Sequence, residues 1–406
     1  MRIAVISPFL DRRHGTERVI LEQVERFIAH SDAEIHIYAQ RLEDLTGVSR
    51  FRSPEKQSGR ILWHKIPALP GPHLFAYIWW FFANHFYRWR DAHFCALTYD
   101  LVYSPGINAL DADVIAVHIV FHEFYRRIRP HLRLAAASPW SWPRLIHRRV
   151  YYRLIMALER RVYRYPGTQL VAVSRLVSRH LEQFFQRSDA AVVPNAVDIA
   201  RFTPRVRLQR RETVRAELRL SPDTFALLMV GNDWVKKGLE TLLQCLAECR
   251  NLPFTLLVVG RDEVGIFLPL VNRLGLQQRV QFHSTAEDIE RFYAAADLYV
   301  GPSLEDAYAL PILEAMASGL PVIASSRAGA SEIIRHGQNG FVLRDPEDTG
   351  ELTALFRKVY SDASLRVRVG EEAARSAAEH TWDRNAAATW EFLNAALARK
   401  RLGRAK

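Results

Sequence analysis

Two carboxylates eight residues apart, Asp306 and Glu314, flank Leu310 and Pro311 in the segment 301–322. Proline suits the first position of a helix, where its fixed φ fits and no amide is missed, and Gly319 suits the stop. A short helix between two strands is expected, with its N-terminus at the end of a sheet. The unpaired amides of its first turn, near Leu310, Ile312 and Leu313, would attract an anion such as phosphate. Asp306 precedes this helix and Glu314 lies one turn inside it; each can accept hydroxyl hydrogen bonds or simply answer the helix dipole. An anion-favouring helix start between two hydroxyl acceptors is what a sugar carried on a diphosphate requires.

Other reactive types stand at similar places. Lys236 and Lys237 precede Gly238 between an apolar stretch and a helical one. They are surface lysines at a helix start or ammonium groups able to neutralise a leaving phosphate. His118 and His122 follow the apolar run 113–117. A neutral imidazole there can hydrogen-bond a sugar hydroxyl or move a proton, or can be a satisfied histidine at a strand end. Gly15 precedes a helical pattern over about 17–29 and permits close backbone approach. Cys95, Cys245 and Cys249 have neither disulfide nor zinc spacing, which fits a reducing cytoplasm, and no metal site is expected.

The elements that must hold these residues alternate between strand and helix signals from end to end, so the fold class is α/β with mainly parallel sheets. One series of strands runs from 2–7 to 170–174 and a second from 225–230 to 322–324. Proline and asparagine interrupt both patterns over 193–204, the expected hinge. The expected domains are 1–192 and 193–383, with a helix over 384–406 crossing back to the first. Two doubly wound domains would form a cleft at the carboxyl ends of their strands, where such folds bind ligands.

With 49% hydrophobic and 24% charged residues among 406, wholesale disorder is excluded. The N-terminal apolar run is too short for a signal peptide, and the run 74–83 falls short of the roughly 18 residues of a spanning helix. Net charge is +11, of which residues 1–200 carry +9. Arg144, Arg148, Arg149, Arg153, Arg160, Arg161 and Arg164 stand among Trp140, Trp142, Tyr151 and Ile155, opposed by Glu159 alone. This stretch reads equally as a basic amphipathic helix on an anionic membrane surface or as a solvated helix with its apolar face in the core. Nucleic acid is not the expected partner.

The segment 301–322 resembles the E-x7-E signature of the retaining GT-B glycosyltransferases of glycosyltransferase family 4. Aligned on Leu310, Pro311 and Glu314, the first glutamate of that signature falls on Asp306, with Glu305 one place early. Asparagine at 232 and lysine at 237 stand in a stretch similar to the family's V-G-R-x-x-x-x-K-G, with lysine kept and arginine replaced. The neighbouring Lys236 gives a double-basic form that looks like the lipopolysaccharide core α-glucosyltransferases. His14-Gly15-Thr16-Glu17-Arg18 resembles G-G-x-E-R, and 195–204 resembles the N-G-V-D-x-x-x-F-x-P interdomain segment. Ala328-Gly329-Ala330-Ser331-Glu332 and Asn339-Gly340 resemble two turns of the same domain.

The resemblance implies a GT-B fold of two Rossmann-like domains and retaining transfer from a nucleotide-sugar, with UDP or GDP as the base carrier, to a glycan or lipid-linked acceptor. It implies Glu314 on the ribose, Asp306 on the donor sugar, Lys237 and Lys236 on the diphosphate, and backbone at Gly15 and Leu310 completing the cradle. It places His118 against the donor sugar and implies attack from the face the diphosphate leaves. Cell-envelope or extracellular polysaccharide synthesis, lipopolysaccharide included, is the expected setting, in the cytoplasm or peripherally on the inner face of the plasma membrane. A sugar-nucleotide 2-epimerase of the same fold, or a binding module without catalysis, is the alternative.

Overall fold

The computed structural model describes residues 1–43, 45, 47–50, 60–128, 142–284 and 288–404. Its contacts divide the chain into two units, Met1–Val193 with Asp383–Lys406, and Pro194–Trp382.

The first unit opens with β1 (Arg2–Ile6), β2 (Phe9–Leu10), α1 (Gly15–His30), β3 (Glu34–Ala39), β4 (Arg41–Leu42), β5 (Val48–Arg50) and β6 (Ile61–Lys65). It continues with α2 (His73–Phe94), β7 (Leu101–Pro105), β8 (Val114–Val117), α3 (Phe121–Ile128), α4 (Trp142–Tyr163), β9 (Gln169–Ala172), α5 (Arg175–Phe185) and β10 (Ala191–Val192). Eight strands form a parallel sheet in the order β10-β9-β8-β7-β1-β3-β6-β5, with β2 and β4 paired separately. The order reverses between β1 and β7, so the loops after those strands diverge there. A polar chain lies buried in this unit. His36 Nδ1 meets His64 Nε2 at 2.8 Å, His64 Nδ1 meets Asp91 at 2.7 Å, and Tyr38 donates to Asp91 at 2.8 Å, which ties β3 and β6 to α2.

The second unit comprises α6 (Pro204–Glu217), β11 (Phe225–Val230), α7 (Leu239–Ala247), β12 (Phe254–Val259), α8 (Val264–Arg273) and β13 (Val280–His283). After these come α9 (Glu290–Ala295), β14 (Leu298–Gly301), α10 (Leu310–Ala317), β15 (Val322–Ser325), β16 (Phe341–Leu343), α11 (Thr349–Ser361) and α12 (Ala363–Ala377). Its six strands are parallel in the order β13-β12-β11-β14-β15-β16. Every residue of β11 and β12 is buried, which is why both read as unbroken apolar runs rather than alternating ones. The reversal falls between β11 and β14, the strands that lead to Lys237 and Asp306.

The last helix, α13 (Trp382–Arg404), packs its Ala386, Leu393 and Ala396 into the core of the first unit. Gln23 there donates to Asn385 at 2.9 Å, and Lys400 holds Asp113 at 2.7 Å. Helix α7 ends at Ala247, between Cys245 and Cys249; both are buried free thiols in the core of the second unit. Of the basic stretch, Trp140 and the side chain of Arg144 lie outside the described residues. No described helix is long and apolar enough to cross a membrane.

Candidate active site

The loops after β11 and β14 are stitched together at the carboxyl edge of the second sheet. The loop after β11 closes on itself, with Lys237 N–H donating to Asp233 O at 3.0 Å and Leu239 N–H to Trp234 O at 3.0 Å. Trp234 anchors it, buried against Phe267 and Phe282, while its amide donates to Asp262 at 2.6 Å. Gly238 turns the chain into α7 with φ +78°, and a Cβ there would lie 2.0 Å from the Pro302 carbonyl oxygen. That approach lets Leu304 N–H reach Lys236 O at 2.8 Å, joining the two loops. The stem of Lys237 lies over Gly231, and its ammonium forms an ion pair with the Asp306 carboxylate.

Asp306 is held from the other side by the turn after β15. Its amide donates to Arg327 O at 2.9 Å, and its carbonyl accepts from Gly329 at 3.0 Å. The Ala328-Gly329-Ala330 turn thus fixes the loop that carries Asp306, a role its sequence did not disclose. Burial pushes the Asp306 carboxyl up, but the ammonium groups of Lys237 and Lys236, with the Tyr308 amide, hold it below the usual carboxylate range. Tyr308 is buried and donates to the Asn195 carbonyl at 2.7 Å, which brings the 195–198 segment against this loop within the unit.

Helix α10 begins at Leu310 with Pro311 in its first turn. Ala309 before it is left-handed, φ +68°, at a cost of about 1–2 kcal/mol for an L-residue. That conformation aims the Ala309 carbonyl at Ile312 N–H, 3.0 Å away. Ile312 therefore leaves the set of amides expected to face an anion. Glu314 is buried, and one of its oxygens accepts from Tyr293 OH at 2.8 Å. Burial pushes the Tyr299 hydroxyl up, with the charges of Asp306 and Glu314 adding to the effect. Arg201, paired with Glu290 at 2.7 Å, feels the Glu314 charge as well. The structure thus brings Lys236, Lys237, Asp306, Leu310 and Glu314 to one edge. Glu305 is 6% exposed, because the hydrogen bonds of Leu304 and Asp306 on either side draw its loop inward.

Gly15 and His118 belong to the first unit. Gly15 is the first residue of α1, without positive φ, rather than the tip of a loop. The turn before it is built by the buried Asp11 carboxylate, which accepts from Arg13 and His14 amides at 2.9 and 3.0 Å. His118 follows β8, and its Nε2 is buried with no partner among the described residues. Burial pushes its imidazole down to about 4, so it is neutral near pH 7. His122 instead binds Glu159 at 2.6 Å, a buried carboxylate that also takes the Phe121 amide and so caps α3.

Sequence reasoning missed Tyr293, Trp234 and Tyr308. Trp234 stands in a polar loop and Tyr293 and Tyr308 among alanines, and only the lysine-glycine pair hinted that the loop after β11 needed an anchor. Among the described residues no group of three His, Cys, Asp or Glu side chains is placed to hold a metal ion.

Residues 224–362 match the family described as Glycosyl transferases group 1. The lipopolysaccharide glucosyltransferase WaaG of Escherichia coli is 31% identical over 166 residues, 40% of this chain and 44% of that protein. The D-inositol 3-phosphate glycosyltransferase of Pseudarthrobacter chlorophenolicus is 30% identical over 243 residues, 56% of this chain and 54% of that protein. The chain spans about half the length of these curated relatives. Likeness of fold extends further. A crystal structure of WaaG superposes with a TM-score of 0.75 at 20% identity, covering 95% of this chain and 98% of that one. Anabaena Alr3699/HepE in complex with UDP-glucose gives 0.69 at 19% identity, covering 97% and 100%. The fold is GT-B, with one parallel α/β sheet in each unit.

Proposed function

We propose, taking residues 224–362 as a group 1 glycosyltransferase segment, that the chain transfers a sugar from a nucleotide-sugar to a glycan or lipid-linked acceptor with retention of configuration. The observation that supports this best is the pairing of Lys237 with Asp306 between stitched loops at the switch point of the second sheet. A donor diphosphate would take the Lys237 ammonium, with Lys236 beside it, and the start of α10 at Leu310 would add backbone positive potential. Asp306, relieved of its cation, would accept from a hydroxyl of the donor sugar, and Glu314, steadied by Tyr293, from the ribose.

As the bond from sugar to diphosphate breaks, charge grows on the phosphate oxygens, where the lysines gain most. In the retaining reading the acceptor oxygen attacks from that same face, and its proton passes to the departing phosphate oxygen. His118, neutral and with a spare ring nitrogen, is assigned to the donor sugar, and backbone at Gly15 to the diphosphate. A relative named for lipopolysaccharide and a structural neighbour in complex with UDP-glucose support a nucleotide-sugar donor and envelope polysaccharide synthesis; a UDP- or GDP-sugar, no metal cofactor and work at the cytoplasmic face belong to the same proposal.

Incubating the chain with a panel of UDP-, GDP- and ADP-sugars, and reading products by mass and anomeric configuration, tests this. Transfer or slow hydrolysis of one donor with the α configuration kept is the expected result. Isomerisation of the sugar, or no turnover of any donor, would replace this reading with an epimerase or a binding module.

A further inference from the structure

The loop after β12 carries a cation that the donor chemistry leaves unused. Strands β11 and β12 run in register, Val230 beside Val259, so the residues that leave their carboxyl ends stay side by side. Gly260 allows this approach: a Cβ there would collide with the Gly231 carbonyl oxygen and meet the Trp234 indole nitrogen at 2.9 Å. Two side chains then cross between the loops. Asn232 accepts the Arg261 amide at 2.8 Å, and Asp262 accepts the Trp234 amide at 2.6 Å. The backbone of Arg261 is thus fixed against the loop that carries Lys237, whose stem lies over Gly231.

The side chain of Arg261 is exposed, and its guanidinium has no hydrogen-bond or ion-pair partner among the described residues. Nearby carboxylates are engaged elsewhere. Asp262 holds the Glu263 amide at 2.7 Å besides that of Trp234, and Asp233 takes the Lys236 amide at 3.3 Å. Asn232, which stands where the similar motif has arginine, bears no charge and spends its oxygen on the Arg261 backbone. Lys236, Lys237 and Arg261 therefore rise from adjacent loops at one edge of the sheet, where an anion set between them would be attracted by all three.

Strand order gives the direction of that anion. The sheet runs β12-β11-β14, which places Arg261, Lys237 and Asp306 in that order along the edge. A sugar diphosphate whose sugar meets Asp306 crosses Lys237 and presents its nucleotide-side phosphate towards Arg261. We propose that Arg261 is a further donor-binding residue, a guanidinium that takes that phosphate by a pair of charge-assisted hydrogen bonds. This rests on the reading of the edge as a diphosphate seat and adds the group that holds its nucleotide end.

Titration calorimetry of the full chain with UDP, GDP and ADP, and with their parent nucleosides, tests the assignment. Arg261→Gln should weaken the diphosphate that binds by about 10- to 100-fold and leave its nucleoside within about twofold. The melting midpoint of the free chain should not move, because no side-chain contact of the fold is lost. Arg261→Lys keeps the charge without the fork and should fall between the two. Asn232→Arg added to Arg261→Gln should recover most of the loss, since it returns a guanidinium one strand away. A diphosphate that binds the unaltered chain and Arg261→Gln alike would overturn this inference and leave the seat standing. An equal loss for nucleoside and diphosphate would also overturn it, by placing Arg261 on the base. If no diphosphate binds the unaltered chain, the reading of the seat falls and this inference with it.

Discussion

The carboxyl edges of the two sheets are built in opposite ways. In the second unit the loop after β14 is bound to three other segments, Leu304 to Lys236, Asp306 to Arg327 and Tyr308 to Asn195, and the charged groups sit inside that mesh. In the first unit the candidate residues stand on separate supports, Gly15 on a turn made by Asp11 and His118 on β8 with an unpartnered nitrogen. A meshed edge holds cations and carboxylates within reach of one another before any ligand arrives, which is what stabilising a localised diphosphate requires. The looser edge would leave room for a larger and more variable ligand, as the proposal that the first unit takes the acceptor requires.

The sharpest contrast should appear at Lys237. Lys237→Ala removes the cation nearest the leaving group and should lower kcat by about 100- to 1000-fold, with a smaller rise in donor KM. Steady-state kinetics with the turned-over donor would show it, and a KM effect with normal kcat would mean that the mesh only binds.

Next in size is Asp306. Asp306→Asn keeps shape and loses charge, and should cost about 10- to 100-fold in kcat. Glu305→Gln alters a buried side chain outside the Lys237 pair and should leave kcat within about threefold, since no charge at the reacting centre is lost. A crippled Glu305→Gln beside a healthy Asp306→Asn would put the signature one residue out of register.

The mesh also predicts different tolerance to a methyl group. Gly238→Ala meets both φ +78° and the Pro302 carbonyl, and should cost about 2–4 kcal/mol. Gly106, after β7 of the first unit, has φ +80° but open space around it, and Gly106→Ala should cost only about 1 kcal/mol. Urea midpoints would rank them, and equal losses would erase the distinction between the edges.

The smallest effect concerns acid. His118 is neutral in the fold down to about pH 4, whereas an unfolded histidine takes a proton below about 6.5. The unfolded chain therefore gains protons that the fold refuses, and stability falls as pH drops from about 6.5 to about 4, by on the order of 1–3 kcal/mol. Amide exchange should show the β8 region opening first over that window, and His118→Asn should flatten the trend. An unaltered slope in that variant would assign the loss to other groups.

How much of this was legible differs in the same way. The helix Leu310–Ala317 and its limits follow from Pro311 and Gly319, because those residues act on backbone that is local to them. The lysine-glycine pair marked the loop after β11 for the same reason. The Lys237–Asp306 pair was not legible, since it joins loops 69 residues apart whose meeting depends on the strand order. Which face of α2 is buried was hidden for a different cause. Trp80 and Phe81 are buried while Phe82 and Phe86 are exposed, and an all-apolar pattern does not say which face meets the core. That Gly15 opens the first turn of α1 was hidden because a glycine before a helix looks the same whether it serves a loop or begins the turn.

The central claim, that Lys237 and Asp306 form a prepared seat for a sugar diphosphate, is tested most directly by calorimetric titration of the chain with UDP, GDP, their sugars and the bare nucleosides. The account predicts that at least one diphosphate or diphosphate-sugar binds, that its parent nucleoside binds at least about tenfold more weakly, and that Lys237→Ala removes most of the difference. Nucleoside and diphosphate binding alike, or a diphosphate preference that survives Lys237→Ala unchanged, would contradict it.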